Sequence, residues 1–343
     1  MNHSLPSRLM QTTASNDPVF RITALWAFSE CALGGIMHAL KLPFTGFFVG
    51  GFAVLCIGLL AHVSHRNAAI ILRSTLLVLL VKAIVSPHST PTAYLAVSFQ
   101  GVMGAFILCY LRPATLAAFL FGFVALVESA FQKIIVLLVF FGKPLFEAVD
   151  IFFADVLKNF GVQSEISWAK MVVYAYVGLY AVWGLVLGYW ITKLPKQLEQ
   201  KRAAYANLTF SDTSTEPLAP KKKRNKWLAP VLVLLFVAAI FLLTGGKTYG
   251  AQKALYAVLR SLAVLTAWFF LLQPLVTWAF QRWAAKRAEH EKGNLAQIME
   301  TLPGLRTTAS GLYRHISGQY KGWKRMREFV VALFVVVLYR ETS

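Results

Sequence analysis

The chain has 343 residues, 57% of them apolar and only 14% charged, with a formal net charge of +19. Soluble domains carry about 45–50% apolar and about 25% charged residues, so soluble, disordered and collagen-like classes are excluded. Cys31, Cys56 and Cys109 all lie in apolar runs, which leaves no disulfide framework and no CxxC metal knuckle.

An apolar run of about 20 residues crosses the hydrocarbon core as a helix. In chain order, six such runs occupy 19–40, 43–63, 68–85, 93–111, 114–141 and 168–192. The first is expected to be a retained span: Glu30 and His38 interrupt it, and no basic segment with a small-residue cleavage site frames it. Two more spans are expected at 227–244 and 254–280. The last apolar run, Phe329 to Tyr339, has 11 residues and is expected as a half-span or a packed helix. With the N-terminus in the cytoplasm, 23 Lys and Arg residues fall in cytoplasmic segments and six in outer ones. This asymmetry predicts that orientation, in the cell (inner or plasma) membrane.

The expected fold class is therefore an all-α polytopic membrane protein: a six-helix transmembrane bundle, a basic linker, and two further spans with cytoplasmic amphipathic helices. Charge divides the chain in the same way. Residues 1–192 hold 11 basic and seven acidic residues, whereas 193–343 hold 23 and eight. Between the two parts, 193–226 reads as a flexible basic linker that ends in Lys221-Lys222-Lys223-Arg224-Asn225-Lys226. That cluster suits anionic lipid headgroups beside a span, and nucleic acid is not an expected partner. In 227–343, Leu295, Ile298, Met299, Leu302 and Leu305 recur at helical spacing among basic residues. Such helices lie on the lipid surface or dock a partner, and the charge pattern favours lipid.

Ionisable residues within spans are costly and mark functional sites by default. His38, Lys82, His88, Gln100, Glu128, Gln132 and Tyr176 share the outer half of the six-helix unit in this topology. They are the candidate substrate-binding residues, and Glu30 and Tyr180 lie at similar depth. The competing reading is structural: Lys82 snorkels to the interface, Lys133 pairs with Glu128, and the tyrosines form a belt or core. Ala27, Cys31, Gly35 and Ala39 repeat every four residues, a small-residue ladder that suits close helix contact within the bundle or with another subunit. No catalytic or metal-ligating set emerges: His290-Glu291 lacks the second His of a zinc helix, and no Walker A loop or Gly-rich nucleotide fingerprint is present.

Six spans in under 200 residues with a small-residue first helix resemble the substrate-binding S component of energy-coupling factor (ECF) transporters. The segments Ala32-Leu33-Gly34-Gly35-Ile36-Met37-His38-Ala39-Leu40-Lys41-Leu42-Pro43-Phe44-Thr45-Gly46 and Lys82-Ala83-Ile84-Val85-Ser86-Pro87-His88-Ser89-Thr90-Pro91 carry the resemblance, with Phe99-Gln100-Gly101 in the helix that follows. It covers residues 19–192. The resemblance implies capture of a water-soluble vitamin, precursor or metal ion from outside, with no catalysis and no cofactor in this chain. A T component and two ABC-type ATPases would supply ATP and Mg chemistry, and Ala27, Cys31, Gly35 and Ala39 would contact the T component. Residues 227–343 resemble the C-terminal part of a T component. Leu305-Arg306-Thr307 there echoes its coupling signature, which makes Arg306 a contact candidate. The start Met1-Asn2-His3 departs from the Met-His start of the metal importers, so the expected substrate is a vitamin or precursor. Two other classes stay open: a membrane enzyme on a lipid-linked substrate using Glu30, Glu128 and His38, and a scaffold whose basic tail binds lipid or a cytoplasmic partner.

Overall fold

A computed structural model describes residues 17–39, 44–87, 89–159, 167–210 and 249–339. These residues form helices α1 (Pro18–Ala39), α2 (Thr45–Val63), α3 (Ala68–Val85), α4 (Pro91–Tyr110), α5 (Ala114–Phe141), α6 (Lys143–Asn159), α7 (Trp168–Tyr205), α8 (Tyr249–Ala267), α9 (Gln273–His290), α10 (Lys292–Gln319) and α11 (Gly322–Tyr339), with a π-helical turn at Trp268–Leu272 between α8 and α9. Among them, six stretches are long and apolar enough to cross a bilayer: Gly46–Val63, Ala68–Val85, Pro91–Tyr110, Ala114–Phe141, Trp168–Tyr205 and Val258–His290. The protein is an all-α polytopic membrane protein. The expected span 19–40 forms as α1 but is not among these six, whereas 227–244 lies outside the described residues.

Local sequence accounts for the helix starts. Asp17 Oδ1 accepts from Val19 N at 2.9 Å, and Asn67 Oδ1 accepts from Ala69 N at 3.0 Å, each satisfying a donor that the first turn leaves open. Pro91 opens α4, where a missing N–H costs nothing. The turn from α2 to α3 takes two left-handed residues, His65 (φ 51°) and Arg66 (φ 65°). Arg66 then reaches the end of α4, donating from Nε to Leu108 O at 2.5 Å and from Nη2 to Leu111 O at 2.7 Å.

Contacts divide the chain into two units. One comprises 1–131, 176–211 and 276–343; the other comprises 132–175 and 212–275. This grouping does not follow the linear division suggested by charge, because helices after residue 276 pack with the N-terminal helices. In the first unit the core runs through α1–α4, the first part of α5, the later part of α7, α10 and α11. Large apolar side chains of α4 at Leu95, Val102, Phe106 and Tyr110 remain exposed, as hydrocarbon contact requires. In the second unit, Asp150 of α6 accepts from Ala169 N at 2.7 Å and Ser167 Oγ at 3.0 Å, placing a carboxylate at the start of α7.

Three expectations change. Residues 193–205, expected to begin a linker, continue α7 because Leu194, Leu198 and Tyr205 form a buried stripe at helical spacing; linker residues 211–226 lie outside the described residues. The apolar face of α10 does not lie on lipid. Leu295, Ile298, Leu312 and Ile316 are at most 5% exposed, and α10 packs on α1, α3 and α11. The final apolar run is part of a longer helix, α11, seated within the first unit. Val330 to Val336 are all buried, and Phe334 stacks on Phe52 at 5.4 Å. Arg21 Nη1 donates to Val337 O and Leu338 O at 3.3 and 3.1 Å, satisfying carbonyls that a helix end leaves open. Glu328, 4% exposed, pairs with Lys201 at 3.0 Å and Arg327 at 3.3 Å. Burial alone would raise its carboxyl, but these two cations hold it below the usual carboxylate range.

Candidate functional site

The first half of α2 reads Thr45-Gly46-Phe47-Phe48-Val49-Gly50-Gly51, and its glycines are where three other helices come in. A β-carbon on Gly46 would lie 3.5 Å from Ser129 Cβ of α5 and 3.9 Å from Tyr180 Oη of α7. One on Gly50 would lie 2.9 Å from Gln100 Nε2 of α4 and 3.6 Å from Ser129 Oγ. One on Gly51 would lie 3.0 Å from Trp183 Nε1. Helices α5 and α7 are themselves held close by Gly122 against the Gly184-Leu185-Val186-Leu187-Gly188 segment. There a Gly188 β-carbon would sit 2.6 Å from Phe119 Cα. Small residues four apart let membrane helices approach this closely.

Gln100 stands at the centre of this junction. It is 1% exposed, and its Nε2 has no hydrogen-bond partner. Ser129 Oγ donates to Ala125 O at 3.2 Å and keeps lone pairs as an acceptor. Tyr176 Oη donates to Tyr180 Oη at 3.1 Å, and Tyr180 is buried. Phe47 stacks on Trp183 at 4.9 Å with an interplanar angle of 11°, and Trp183 Nε1 donates to Phe47 O at 3.1 Å. The junction therefore offers an amide donor, hydroxyls and ring faces. Trp26 Nε1 on α1 is also buried without a partner, a single N–H on a large apolar ring.

A second polar arrangement joins α1 to α3. Lys82 Nζ lies 2.6 Å from Glu30 Oε2, with both residues 5% exposed, and Thr23 Oγ1 donates to Ser74 Oγ at 2.9 Å. Lys82 thus does not snorkel. In a low-dielectric setting each charge is the other's compensation.

The sequence candidates distribute as follows. Gln100 and Tyr176 come together with Tyr180 and Ser129; Lys82 is engaged by Glu30. Glu128 is half-buried on α5, one residue before Ser129, and Gln132 belongs to the second unit. His38 lies in the last turn of α1, where the description does not extend to its side chain, and His88 lies outside the described residues. Of the small-residue ladder, Ala27 is fully buried in the chain's own core and Cys31 is half-buried; the packing of Gly35 and Ala39 is not described. Lys133 is exposed on α5 and Arg306 is exposed on α10. Ser129 and the α2 glycines were not singled out from sequence; the only available signal was their presence near Gln100 in depth. Among the described residues, no three His, Cys, Asp or Glu side chains gather as a metal site.

The second unit offers different chemistry. A groove along α8 is lined by Leu259, Leu262, Ala263, Thr266, Ala267, Phe270 and Leu271, almost wholly apolar. It suits hydrocarbon and has little with which to orient a polar molecule.

Compared with known proteins, the chain matches no family model, no curated protein and no solved structure.

Proposed function

We propose that this chain is the substrate-binding membrane subunit of an ATP-driven importer of the energy-coupling factor type, taking up a small water-soluble vitamin or precursor. The observation that carries the reading is Gln100, an amide 1% exposed and without a partner, set where α2, α4, α5 and α7 converge. A buried donor left unmade costs about 1–3 kcal/mol, a cost that a bound acceptor offsets. In the orientation favoured by the Lys and Arg distribution, this junction lies in the outer half of the membrane, where a captured solute arrives. Phe47, Tyr176, Tyr180 and Trp183 supply faces for a planar ring, and Gln100 and Ser129 supply hydrogen bonds. His38, His88 and Glu128 remain candidates for the approach to the site; Lys82 serves only once released from Glu30.

Under this proposal, uphill transport draws on two partner ABC-type ATPases through a T component. Cys31, only half-buried, is a better contact for that partner than Ala27, which the chain already covers. Gly35, Ala39 and Arg306 complete the candidate contact set, and the cluster Lys221-Lys222-Lys223-Arg224-Asn225-Lys226 meets anionic headgroups.

The test is mass spectrometry of the tagged full chain purified in mild detergent, reading both co-purifying proteins and released small molecules. Two nucleotide-binding ATPases with the wild type, and a small molecule absent from Gln100→Leu, are expected. A preparation that preserves other membrane complexes yet yields neither would overturn the proposal.

A further inference from the structure

A row of aromatic rings leads from the Gln100 junction to the C-terminal helix. Phe47 packs edge-on against Tyr180 at 5.5 Å and stacks on Trp183 at 4.9 Å. Trp183 meets Trp323 edge-on at 5.5 Å, and Trp190 closes a triangle with them, 5.8 Å from Trp323 and edge-on to Trp183 at 6.3 Å. Trp183 Nε1 donates to Phe47 O at 3.1 Å, so a shift of the Trp183 ring is passed on to Phe47.

Trp323 is the unusual member. It stands in the polar first turn of α11, between Gly322 and Lys324, and 57% of it is exposed. Burial of α11 does not require an aromatic there, because the helix is seated further along by Val330 to Val336, by Glu328 with Lys201, and by Arg21 on the carbonyls of Val337 and Leu338. A helix fixed at its far end thus presents one ring to the wall of the junction. Trp183 carries edge-to-face pairs with both Trp323 and Trp190, and each such pair adds modestly beyond area burial.

We infer that Trp323 is a positioning residue for the capture site: by packing on Trp183 it holds the Trp183–Phe47 wall, so that the seating of α11 and occupancy of the junction are coupled. The inference rests on the capture reading for what the junction binds, but the mechanical coupling needs no ligand to be observed. Coupling of this kind is reciprocal, so a filled junction tightens α11 as a seated α11 tightens the junction.

The test uses the full chain labelled with 5-fluorotryptophan, with the fluorine resonances of Trp183 and Trp323 assigned through Trp183→Phe and Trp323→Phe. Arg21→Gln with Glu328→Gln loosens the far end of α11, and faster hydrogen exchange over 329–339 reports its release. The Trp183 resonance is then expected to move in the direction it takes in Trp323→Ala, and the small molecule retained on purification to fall about tenfold in both variants. Trp323→Phe, which keeps a ring, restores most of that retention. Released exchange over 329–339 with an unmoved Trp183 resonance would overturn the inference. If the double variant does not fold, Trp323→Ala against Trp323→Phe decides alone, since an exposed ring is removed without disturbing the core: equal Trp183 resonances in the two overturn the coupling. A moved resonance with no small molecule on the wild type supports the coupling and sinks the capture reading instead.

Discussion

The α1–α3 interface and the junction of α2, α4, α5 and α7 both bury polar side chains inside a membrane bundle, and they do so in opposite ways. Glu30 and Lys82 satisfy each other at 2.6 Å, with Thr23 and Ser74 bonded nearby. Gln100 is buried as deeply and satisfies nothing with its amide nitrogen. A closed polar pair fixes the packing of two helices. An open donor leaves a place where a further acceptor lowers the energy. Polarity in a span is thus a pointer to function only after its partners are counted.

The largest test of this contrast is Lys82→Met, which leaves Glu30 buried and unpaired. Breaking one half of a buried pair costs about 3–5 kcal/mol, so the variant is expected to lose most folded yield in detergent, read by size-exclusion profile and thermal melting. Glu30→Leu with Lys82→Leu should recover much of that loss; failure to recover would mean that the pair does more than compensate itself. Next comes Gly188→Ala, which forces α5 from α7 and is expected to cost about 1–3 kcal/mol by overpacking and to abolish retention of a small molecule. Gln100→Leu should behave in the reverse sense: melting temperature maintained or raised, as about 1 kcal/mol of unmet donor is removed, with retention lost. A Gln100→Leu chain that melts well below wild type would place Gln100 beside Glu30 as a structural group.

Acid provides a gentler lever. The Glu328 and Glu291 carboxyls lie below their ordinary range: burial opposes this in each, but Lys201 and Arg327 for the first, and Arg73 and Asn294 for the second, prevail. A depressed carboxylate contributes stability that is present above its unfolded pKa and lost as pH falls through the folded one. Amide protection factors in α10 and α11, which remove the intrinsic pH dependence of exchange, should therefore fall below about pH 4 and stay level between neutrality and about pH 5. The smallest effect is expected for Arg73→Gln. Its partner Glu291 lies at 3.1 Å, but Arg73 is 62% exposed, so the ion pair contributes at most about 1 kcal/mol.

Much of the fold was legible because bilayer crossing demands long apolar runs, and α2 to α5 and α7 fall where such runs occur. Helix α6 was not foreseen, since acidic residues such as Glu147 and Asp150 interrupt the apolar run and only amphipathic periodicity marks it. The packing of α10 was misjudged because a basic amphipathic stripe looks the same whether it faces lipid or protein; the choice lies with distant partners on α1 and α3. At the site, Gln100 and Tyr176 stood out as polar groups in apolar runs. Ser129 did not, because a hydroxyl that bonds back to its own helix is at ease in a span. Glycine spacing along α2 carried no message until the opposing helices were placed.

Arg66 gives the α2–α3 turn a mechanical meaning. Its guanidinium fastens the α2–α3 corner to the last carbonyls of α4, and its own backbone sits left-handed to do so. Gly50 and Gln100 lie on the two helices tied by that fork. The corner and the end of α4 are therefore joined by two hydrogen bonds, so a displacement of the corner is shared between the helices that carry the glycine and the amide.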